Sequence, residues 1–502
     1  MLSKRSATVL AALLLGSGAA GAQTARPCAV QGSGPVPPAL GSRVTVSGVV
    51  TAAFRGAVNG FFLQEPSCDG DAATSDALFV DARGLAAWPA AGNRATVTGR
   101  VANDAGLTSV IAESASDDGR YAGSVEAVRT SPPADPAAAA AYLESQEGML
   151  VALAPSRVVG ATDATGTAYV VPEASGVTRL YRGDADGRKL GLAAPEAWLA
   201  ANHGDVVSDV SGPLVETGAG FAVWVRTTRP PAIAAGRAAA GTAAAAAPGT
   251  LSIATYDLGA SGSAARRAQS IAALAAPDVL VVQGAFSAET LADLAAEPSL
   301  IAFGYRTVAA EGADPEGRRV GLLYRADRVS LRAFETRPAA VPGRAPLVVH
   351  LETPQGERFA VVGCDFQPAA GAVDAAAVRL GLADHVRALA GEIRLTEPDA
   401  RLVVLGNLDD GETSAPVLRL LDGGLLQDLH GRLPVERPYT VVAQGLSLAS
   451  DYVLVDGALS ARVAELRAVH ANADQAHAAP GAEASSARAA DHDPLLLRVR
   501  PR

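Results

Sequence analysis

An aspartate–histidine pair near the C-terminal end, Asp491-His492, has side chains suited to acid–base chemistry. Histidine titrates close to neutral pH, and small changes in its surroundings move its charge across that range. Taken alone, such a pair is more often a satisfied surface pair than part of a catalytic site. His470 and His477 precede it in a Gly/Ala-rich stretch, where the spacing does not support a metal site. The pair therefore needs support from the rest of the chain.

The N-terminus predicts export. Lys4 and Arg5 precede a short apolar run, residues 7–15, and small residues lead to Ala22. A charged segment, an apolar segment and an A-x-A site are typical of a signal peptide, here residues 1–22. The run is too short to span a bilayer, and no other segment is long and apolar enough. We expect a secreted protein, extracellular or periplasmic, with no membrane association.

The chain has three cysteines, Cys28, Cys68 and Cys364. In an exported protein, Cys28 and Cys68 could form a disulfide that ties the N-terminal arm to a loop of the first domain. Pairing cannot be read from sequence, so this stays a hypothesis. Cys364 lies in an apolar run and is expected to be a buried free thiol, because an unpaired cysteine usually behaves as a small apolar residue.

The formal charge of the chain is −10, and no basic stripe is visible. Proteins that bind nucleic acid tightly and without specificity usually carry such a stripe, so the charge weighs against that class. Phe61 and Phe62 on a predicted strand could stack on bases, although one of them is expected in the core. Arg266 and Arg267 are expected on a solvated helix face.

The first half of the chain shows the short apolar runs typical of β-strands. Four such runs, without a helical period, lie at 43–50, 60–64, 77–80 and 94–101. They predict a small barrel or sandwich over residues 23–130. A second β-rich block covers residues 131–230, and residues 231–249, rich in Ala, Gly and Pro, are typical of a linker.

From residue 250 to 502 predicted strands and helices alternate. The helices are expected at 264–275, 288–296 and 375–393. The strands are expected at 251–258, 278–283, 320–324, 347–351, 359–366, 401–405, 439–442, 451–455 and 495–499. Hairpins mixed with helical crossovers indicate packed sheets flanked by helices.

Several segments, taken in order, resemble the endonuclease/exonuclease/phosphatase superfamily. They are LSIATYD at 251–257, PDVLVVQ at 277–283, VGLLYR at 320–325, GNLD at 406–409 in place of G-D-x-N, and DHDP at 491–494. Upstream, the segments 48–51, 60–64, 74–76 and 143–149 resemble the tandem OB-fold-like front of large secreted bacterial nucleases. The resemblance implies a multidomain protein, with two OB-fold-like β-domains followed by a four-layer α/β sandwich of the deoxyribonuclease I type.

The family hydrolyses phosphodiesters with a divalent metal, usually Mg²⁺, which needs hard oxygen ligands. Its metal-binding glutamate corresponds to Gly284, which has no side chain to offer. The asparagine of its first strand corresponds to Asp257, a carboxylate that could partly replace the missing ligand. Its catalytic histidine corresponds to Asp365, and an ionised aspartate cannot donate a hydrogen bond to a phosphoryl oxygen. The resemblance thus implies an incomplete catalytic site.

The aspartate and asparagine of G-D-x-N correspond to Asn407 and Asp409, so the two residue types are exchanged. If both lay on one strand face, the carboxylate would move by about 6.6 Å, which is more than catalytic geometry tolerates. Asp491 and His492 match the final family pair, in which the histidine is a general base oriented by an aspartate. Asp451 matches the aspartate of the family's D-H or D-Y pair.

Two hypotheses follow. The first is a catalytically impaired nuclease relative that keeps a binding role, and the loss of the glutamate at Gly284 favours it. The second is an active extracellular nuclease that uses Mg²⁺ or another divalent cation with rearranged carboxylates: Asp257, Asp409, Asp451 and Asp491. The implied partner is nucleic acid or another phosphodiester, and the sequence indicates no oligomeric state.

Overall fold

The structure is a computed structural model that describes residues 22–56, 58–226, 228–236, 241–259, 263–285, 287–368, 374–433, 438–482 and 488–502. The predicted signal peptide, apart from Ala22, lies outside these residues, as do residues 237–240 of the predicted linker. The described helices are α1 (Pro27–Gln31), α2 (Pro136–Glu144), α3 (Ala264–Ala273), α4 (Ala288–Ala296), α5 (Ala375–Thr396), α6 (Ala415–Leu421) and α7 (Gly457–Ser460).

The described strands of the first half are β1 (Gln23–Thr24), β2 (Arg43–Phe54), β3 (Gly60–Gln64), β4 (Ala77–Asp81), β5 (Asn93–Asp104), β6 (Leu107–Arg120), β7 (Val128–Thr130), β8 (Leu150–Leu153), β9 (Ser156–Gly160), β10 (Thr167–Pro172), β11 (Leu190–Ala193), β12 (Val206–Ser208), β13 (Ser211–Thr217), β14 (Gly220–Trp224) and β15 (Ala232–Ala234). Those of the second half are β16 (Leu251–Asp257), β17 (Val279–Ala285), β18 (Tyr305–Ala309), β19 (Arg319–Arg325), β20 (Ser330–Thr336), β21 (Leu347–Glu352), β22 (Arg358–Asp365), β23 (Arg401–Asn407), β24 (Leu426–Asp428), β25 (Val441–Ala443), β26 (Leu446–Leu448), β27 (Asp451–Asp456), β28 (Val463–Ala468) and β29 (Leu495–Val499).

The chain divides into two compact units. Unit 1 comprises Met1–Val128, Ala141–Val151 and Pro213–Gly218, and unit 2 comprises Arg129–Ala140, Ala152–Gly212 and Ala219–Arg502. Two segments of the predicted second β-domain therefore belong to unit 1, and the remainder of that domain belongs to unit 2 together with the α/β region.

Unit 1 contains a closed five-stranded barrel. Its strands follow the order β2-β3-β4-β6-β5, and β5 pairs back to β2. Neighbours are antiparallel except β4 and β6, which are parallel. Inward-facing apolar side chains fill the barrel, including fully buried Val46, Phe61 and Val97. Closure removes the exposed edges that an open sheet of this size would present.

Phe61 and Phe62 both lie inside unit 1, each with 0% of its surface exposed. Neither ring is therefore available to stack on a base, and the sequence-based suggestion of base stacking is wrong. Phe61 belongs to the barrel core, while Phe62 packs against the rings of Phe54 and Phe79. Unit 1 also contains a disulfide between Cys28 and Cys68, and Cys364 of unit 2 is a buried free thiol.

The β-rich part of unit 2 contains the run β9-β10-β11-β14, which β12 and β15 extend beyond β9. The pairs β9–β10 and β10–β11 are antiparallel, whereas β11 and β14 are parallel. The strands β9-β10-β11-β14 therefore show the same pairing pattern as β2-β3-β4-β6 in the barrel of unit 1. In both runs two antiparallel pairs are followed by one parallel pair.

The α/β region of unit 2 contains two six-stranded sheets. Among the described residues the first has the order β18-β19-β17-β16-β29-β28 and the second β20-β21-β22-β23-β27-β24. One apolar core lies between the sheets and draws side chains such as Ile253, Val281, Val361 and Val403 from both. Central strands β16, β17 and β23 are buried along their whole length, which explains their continuous apolar sequence.

Helices cover the outer faces of the two sheets. α3 and α4 contribute Ile271, Leu291 and other residues to a second core on the first sheet, while α5 and α6 pack on the second sheet. The result is the predicted order of helix, sheet, sheet, helix. The side chains of Ser263, Ser287 and Asp374, which precede α3, α4 and α5, each accept a hydrogen bond from a backbone N–H in the first turn of the helix. Capping preferences predict these residue types at this position.

The segment 439–442, predicted as a strand, contributes only its last two residues to a strand, in the short hairpin β25–β26. The strands β18 and β20 were not predicted, because each lies at the edge of its sheet, where the apolar pattern is weak. No helix in the described part of the chain is long and apolar enough to cross a membrane.

Candidate functional site

The candidate site lies where central strands of both sheets end. β16, β22 and β23 end at Asp257, Asp365 and Asn407, and β27, which runs antiparallel to β23, begins at Asp451. Register aligns Asp365 with Asn407 and Asn407 with Asp451. Because carboxyl ends of parallel strands meet at one edge, polar residues that directly follow apolar runs collect there. The ends of three strands and the start of β27 thus bring these four residues together.

Asn407 links the two sheets through a buried hydrogen bond. Its Nδ2 donates to Oδ2 of Asp257 at 2.9 Å, while its Oδ1 accepts from Oγ of Ser450 at 2.9 Å and from the backbone N–H of Asp409 at 2.8 Å. Three partners fix the orientation of the amide. Asn407 therefore holds the Asp257 carboxylate in place at the centre of the site.

His492 is paired with Asp451. Its Nδ1 lies 2.7 Å from Oδ2 of Asp451, and the side chains are 14% and 2% exposed. Burial alone would lower the pKa of His492, but the carboxylates of Asp451, Asp257 and Asp491 outweigh it and raise this pKa to about 10. The imidazole is therefore charged at neutral pH, so it is a hydrogen-bond donor rather than a ready general base.

Asp491 contacts a different histidine and an arginine. Its Oδ1 accepts from Nε2 of His477 and from Arg488, each at 3.2 Å. Burial raises the pKa of Asp491, but His477 and Arg488 reverse the effect and hold it well below the ordinary range. The aspartate that holds His492 is instead Asp451, which sequence reasoning placed at the site without this role.

His477 and His470, weighed as metal ligands from the sequence, each have a carboxylate partner. His477 contacts Asp491, whereas Nδ1 of His470 lies 2.8 Å from Oδ2 of Asp493. His470 also stacks on the ring of Tyr439, with centroids 4.1 Å apart. A carboxylate thus positions each of these two histidines, and neither needs a metal to hold it.

Gly284 lies directly beside Asp257. Its φ is +72°, and a Cβ built on it would lie 3.5 Å from Oδ1 of Asp257. The pairing of β17 with β19 shifts register between Val282 and Ala285, so Gly284 lies in a bulge that favours glycine. Gly284 thus lacks a side chain and also has a backbone conformation that disfavours one.

Asp365, at the position of the family histidine, is part of a buried ion cluster. Nη1 of Arg344 lies 2.5 Å from Oδ2 of Asp365, and Nε of Arg344 lies 2.7 Å from Oδ2 of Asp314. Burial raises the pKa of Asp365, and the Arg344 guanidinium opposes this rise. Sequence reasoning missed Arg344, because it lies in an irregular segment between β20 and β21 with no motif around it.

Asp409 does not share a strand face with Asn407, so the displacement of about 6.6 Å estimated from strand geometry is wrong. β23 ends at Asn407, and Asp409 follows it with φ of +51°. Its carboxylate lies 3.2 Å from Nη1 of Arg379, whose Nε contacts Asp410 at 3.1 Å. Arg379 was also missed, because it lies on α5 among residues with the ordinary spacing of an amphipathic helix.

A divalent metal requires several ligand atoms around one point. Among the described residues, no three carboxylate or imidazole groups of this site bring ligand atoms within 4.8 Å of one another. Each carboxylate oxygen of Asp257 accepts a hydrogen bond. Oδ2 accepts from the side chain of Asn407, and Oδ1 accepts from the backbone N–H of Gly259. Protein cations stand against the other carboxylates. The residues present therefore do not fit the Mg²⁺ or other divalent cation that the family resemblance implies.

A cavity of about 460 Å³ opens beside Asp410 in unit 2. Its lining includes Tyr181, Arg182, Glu412 and Leu448. The Arg182 side chain is 57% exposed and lies 3.8 Å from Asp410, and its backbone N–H donates to Ser447. The cavity thus combines one exposed guanidinium with two carboxylates and an aromatic ring.

Residues 104–235 match a sequence family described as a domain of unknown function, DUF8508. No curated protein is significantly similar in sequence to the chain. The match to the family therefore covers the end of the barrel and the β-rich part of unit 2, and it leaves the candidate site outside its limits.

The similar solved structures include endonuclease/exonuclease/phosphatase family proteins. One from Bacteroides thetaiotaomicron is 15% identical and has a TM-score of 0.39, with 50% of this chain and 94% of that chain covered. Humanized D. rerio TDP2 is 17% identical, with a TM-score of 0.39 and coverage of 50% and 100%. The human Nocturnin catalytic domain with bound sulfate is 15% identical, with a TM-score of 0.36 and coverage of 50% and 93%.

Proposed function

We propose that the chain is a catalytically impaired relative of the endonuclease/exonuclease/phosphatase phosphodiesterases that binds a phosphodiester ligand without hydrolysing it efficiently. The environment of Asp257 carries this proposal. Its carboxylate is hydrogen-bonded by Asn407 and Gly259, and Gly284 beside it has no side chain to complete a cation site. Without converging ligands, little remains to stabilise charge on a phosphate in the transition state.

A binding role is supported by the donors near the edge of the sheets. His492 is charged at neutral pH because of the carboxylates around it, and Arg379 lies on α5 beside Asp409. Charged imidazole and guanidinium groups form short, strong hydrogen bonds to phosphate oxygens. The nearby carboxylates limit affinity for a polyanion, so we expect modest rather than tight binding of single-stranded nucleic acid.

The test compares cleavage and binding in the same preparation. Plasmid and fluorescein-labelled 12-nucleotide DNA are incubated with Mg²⁺, Mn²⁺ or Ca²⁺, and anisotropy of the labelled strand is measured in parallel. We expect binding without appreciable cleavage, and weaker binding for Arg379→Gln. The matched control is Arg332→Gln, because Arg332 lies on edge strand β20 and forms an exposed ion pair with Glu352. Absence of binding by the unmodified protein would refute the binding role.

The second candidate is an active metal-dependent phosphodiesterase, and the intact His492–Asp451 pair favours it. Asp257 and Asp491 act on the same imidazole, so carboxylates are present even though their ligand atoms do not converge. Cleavage that requires a divalent cation, stops with chelator and disappears in His492→Ala would select this candidate over the first.

We also infer that both β-regions are OB-like and that the protein is exported. The barrel order β2-β3-β4-β6-β5 with one parallel pair supports the first inference for unit 1, since OB-folds are five-stranded barrels. The signal-peptide pattern of residues 1–22 supports export. Mass determination of the N-terminus in exported material tests cleavage after Ala22.

A further inference from the structure

Three glutamates come together in unit 1, outside the candidate site described above. Glu144 is the last residue of α2, Glu147 follows in the next turn and Glu216 lies on β13. One carboxylate oxygen from each lies within 4.8 Å of the other two. Glu144 and Glu147 are buried, with 9% and 0% of their surface exposed, and Glu216 is partly buried.

Each of these carboxylates has an oxygen without a hydrogen-bond partner. The buried atoms Oε1 of Glu144, Oε2 of Glu147 and Oε2 of Glu216 have none in the described structure. Buried polar atoms are nearly always satisfied, and buried like charges repel each other. Glu144 also stands at the C-terminal end of a helix, where the backbone dipole disfavours negative charge. Three carboxylates this close together, each with an unsatisfied buried oxygen, indicate a missing positive partner.

Gln31 provides a second and independent observation. It is 1% exposed, yet neither its Oε1 nor its Nε2 has a hydrogen-bond partner. Burial raises the pKa of Glu147 to about 7, and a contact of its carboxylate with the Gln31 amide opposes this rise. The amide therefore lies against Glu147, although the two groups do not meet the geometry of a hydrogen bond. A buried amide without a well-formed hydrogen bond therefore lies beside the carboxylate cluster.

Thr108 lies against the same carboxylate. Its backbone N–H donates to Oε1 of Glu147 at 2.7 Å, and this leaves Oε2 as the free oxygen. The hydroxyl of Thr108, fully buried, also lacks a partner. The surroundings thus offer carboxylate, amide and hydroxyl oxygens, all of which are hard ligands.

We propose that Glu144, Glu147 and Glu216, with the amide oxygen of Gln31, form a divalent-cation site in unit 1 that is best suited to Ca²⁺. Ca²⁺ binds oxygen at about 2.3–2.6 Å, so ligands on opposite sides lie up to about 5 Å apart. The mutual spacing within 4.8 Å fits that geometry. Mg²⁺ binds at about 2.0–2.1 Å and keeps several waters, which suits a buried cluster of side chains less well.

Equilibrium dialysis with ⁴⁵Ca²⁺ on the purified protein, after chelator treatment, measures the site directly. We expect one Ca²⁺ per chain and a rise in Tm of several degrees, because a cation that binds only the folded state stabilises it. The double variant Glu144→Gln/Glu216→Gln should lose that equivalent. Glu113→Gln, at an exposed ion pair with Arg43 in the same unit, should keep it.

Two further variants keep the result interpretable. Asp257→Asn should retain the Ca²⁺ equivalent, because Asp257 belongs to the candidate site in unit 2. If the double variant does not fold, the single variant Glu216→Gln, at the most exposed of the three glutamates, replaces it in the test. This variant should weaken Ca²⁺ binding at least tenfold. Absence of stoichiometric binding, binding that survives in both glutamate variants, or loss of binding in Asp257→Asn would each overturn the proposal.

Discussion

The side-chain amide of Asn407, on the second sheet, donates a buried hydrogen bond to the carboxylate of Asp257, on the first sheet. The distance from Nδ2 to Oδ2 is 2.9 Å. This bond occupies an oxygen that the sequence marked as a possible replacement metal ligand. The N–H of Gly259 occupies the other oxygen at 2.8 Å. Both oxygens of the Asp257 carboxylate therefore already accept hydrogen bonds from the protein, so neither is left free to bind a cation.

The first prediction concerns hydrolysis. The protein should degrade plasmid DNA with Mg²⁺ very slowly or not at all, because no ligand set converges among the described residues at the edge of the sheets. Agarose-gel and fluorogenic assays over several hours provide the measurement. Rapid clearance that chelator and His492→Ala both abolish would contradict the prediction.

The second prediction concerns repair of the missing ligand. Gly284→Glu alone should not restore hydrolysis, because Asp365 and Asp409 keep their arginine partners. The φ of +72° also makes any side chain at this position unfavourable, by about 1–2 kcal/mol. Gly284→Ala is the control for backbone strain, and both variants should lower Tm similarly. Robust turnover by Gly284→Glu would show that this single position limits catalysis.

The sequence predicted the strands of the sandwich well because their apolar runs are long and uninterrupted, as in 279–285 and 401–407. The resemblance to the nuclease superfamily, rather than any local pattern, implied that Asp257, Asn407 and Asp451 belong to one site. In the structure Asp257 and Asn407 end their strands and Asp451 begins its strand. Their partners could not be predicted in the same way. Arg344 and Arg379 reach the site from an irregular segment and a helix, and their contacts depend on tertiary packing that no local pattern encodes.

The third prediction concerns Arg344, whose guanidinium is 2% exposed between Asp314 and Asp365. Arg344→Met should destabilise unit 2 by about 3–5 kcal/mol, because removing one partner leaves buried charge uncompensated. Urea unfolding gives the measurement, with Arg332→Met at an exposed pair as a control expected to cost less than about 1 kcal/mol. Adding Asp314→Asn and Asp365→Asn should recover part of the loss, and no recovery would argue against a charge effect.

The fourth prediction concerns the charge on His492. Its pKa in the folded protein is raised to about 10, above the ordinary value of about 6.5. The stabilisation from this group is therefore complete below about pH 6.5 and is lost as pH rises towards 10. Imidazole resonances in ¹⁵N-labelled protein should show a charged His492 at pH 7.5, and Asp451→Asn should shift its titration towards neutrality. Titration near pH 6.5 in the unmodified protein would contradict the prediction.

The last prediction concerns the bond between Cys28 and Cys68, which joins residues 40 positions apart. Closing a loop of that length restricts the unfolded chain, so the bond should stabilise unit 1 by about 3–4 kcal/mol. Peptide mapping of exported protein under non-reducing conditions should recover a Cys28–Cys68 peptide and a free Cys364, whose thiol is buried and has a pKa raised by that burial. The double variant Cys28→Ser/Cys68→Ser should unfold at lower denaturant concentration, and reductant should shift the unmodified protein in the same direction while leaving the variant unchanged. A bridge that contains Cys364, or three free thiols in exported material, would show that the assignment is wrong.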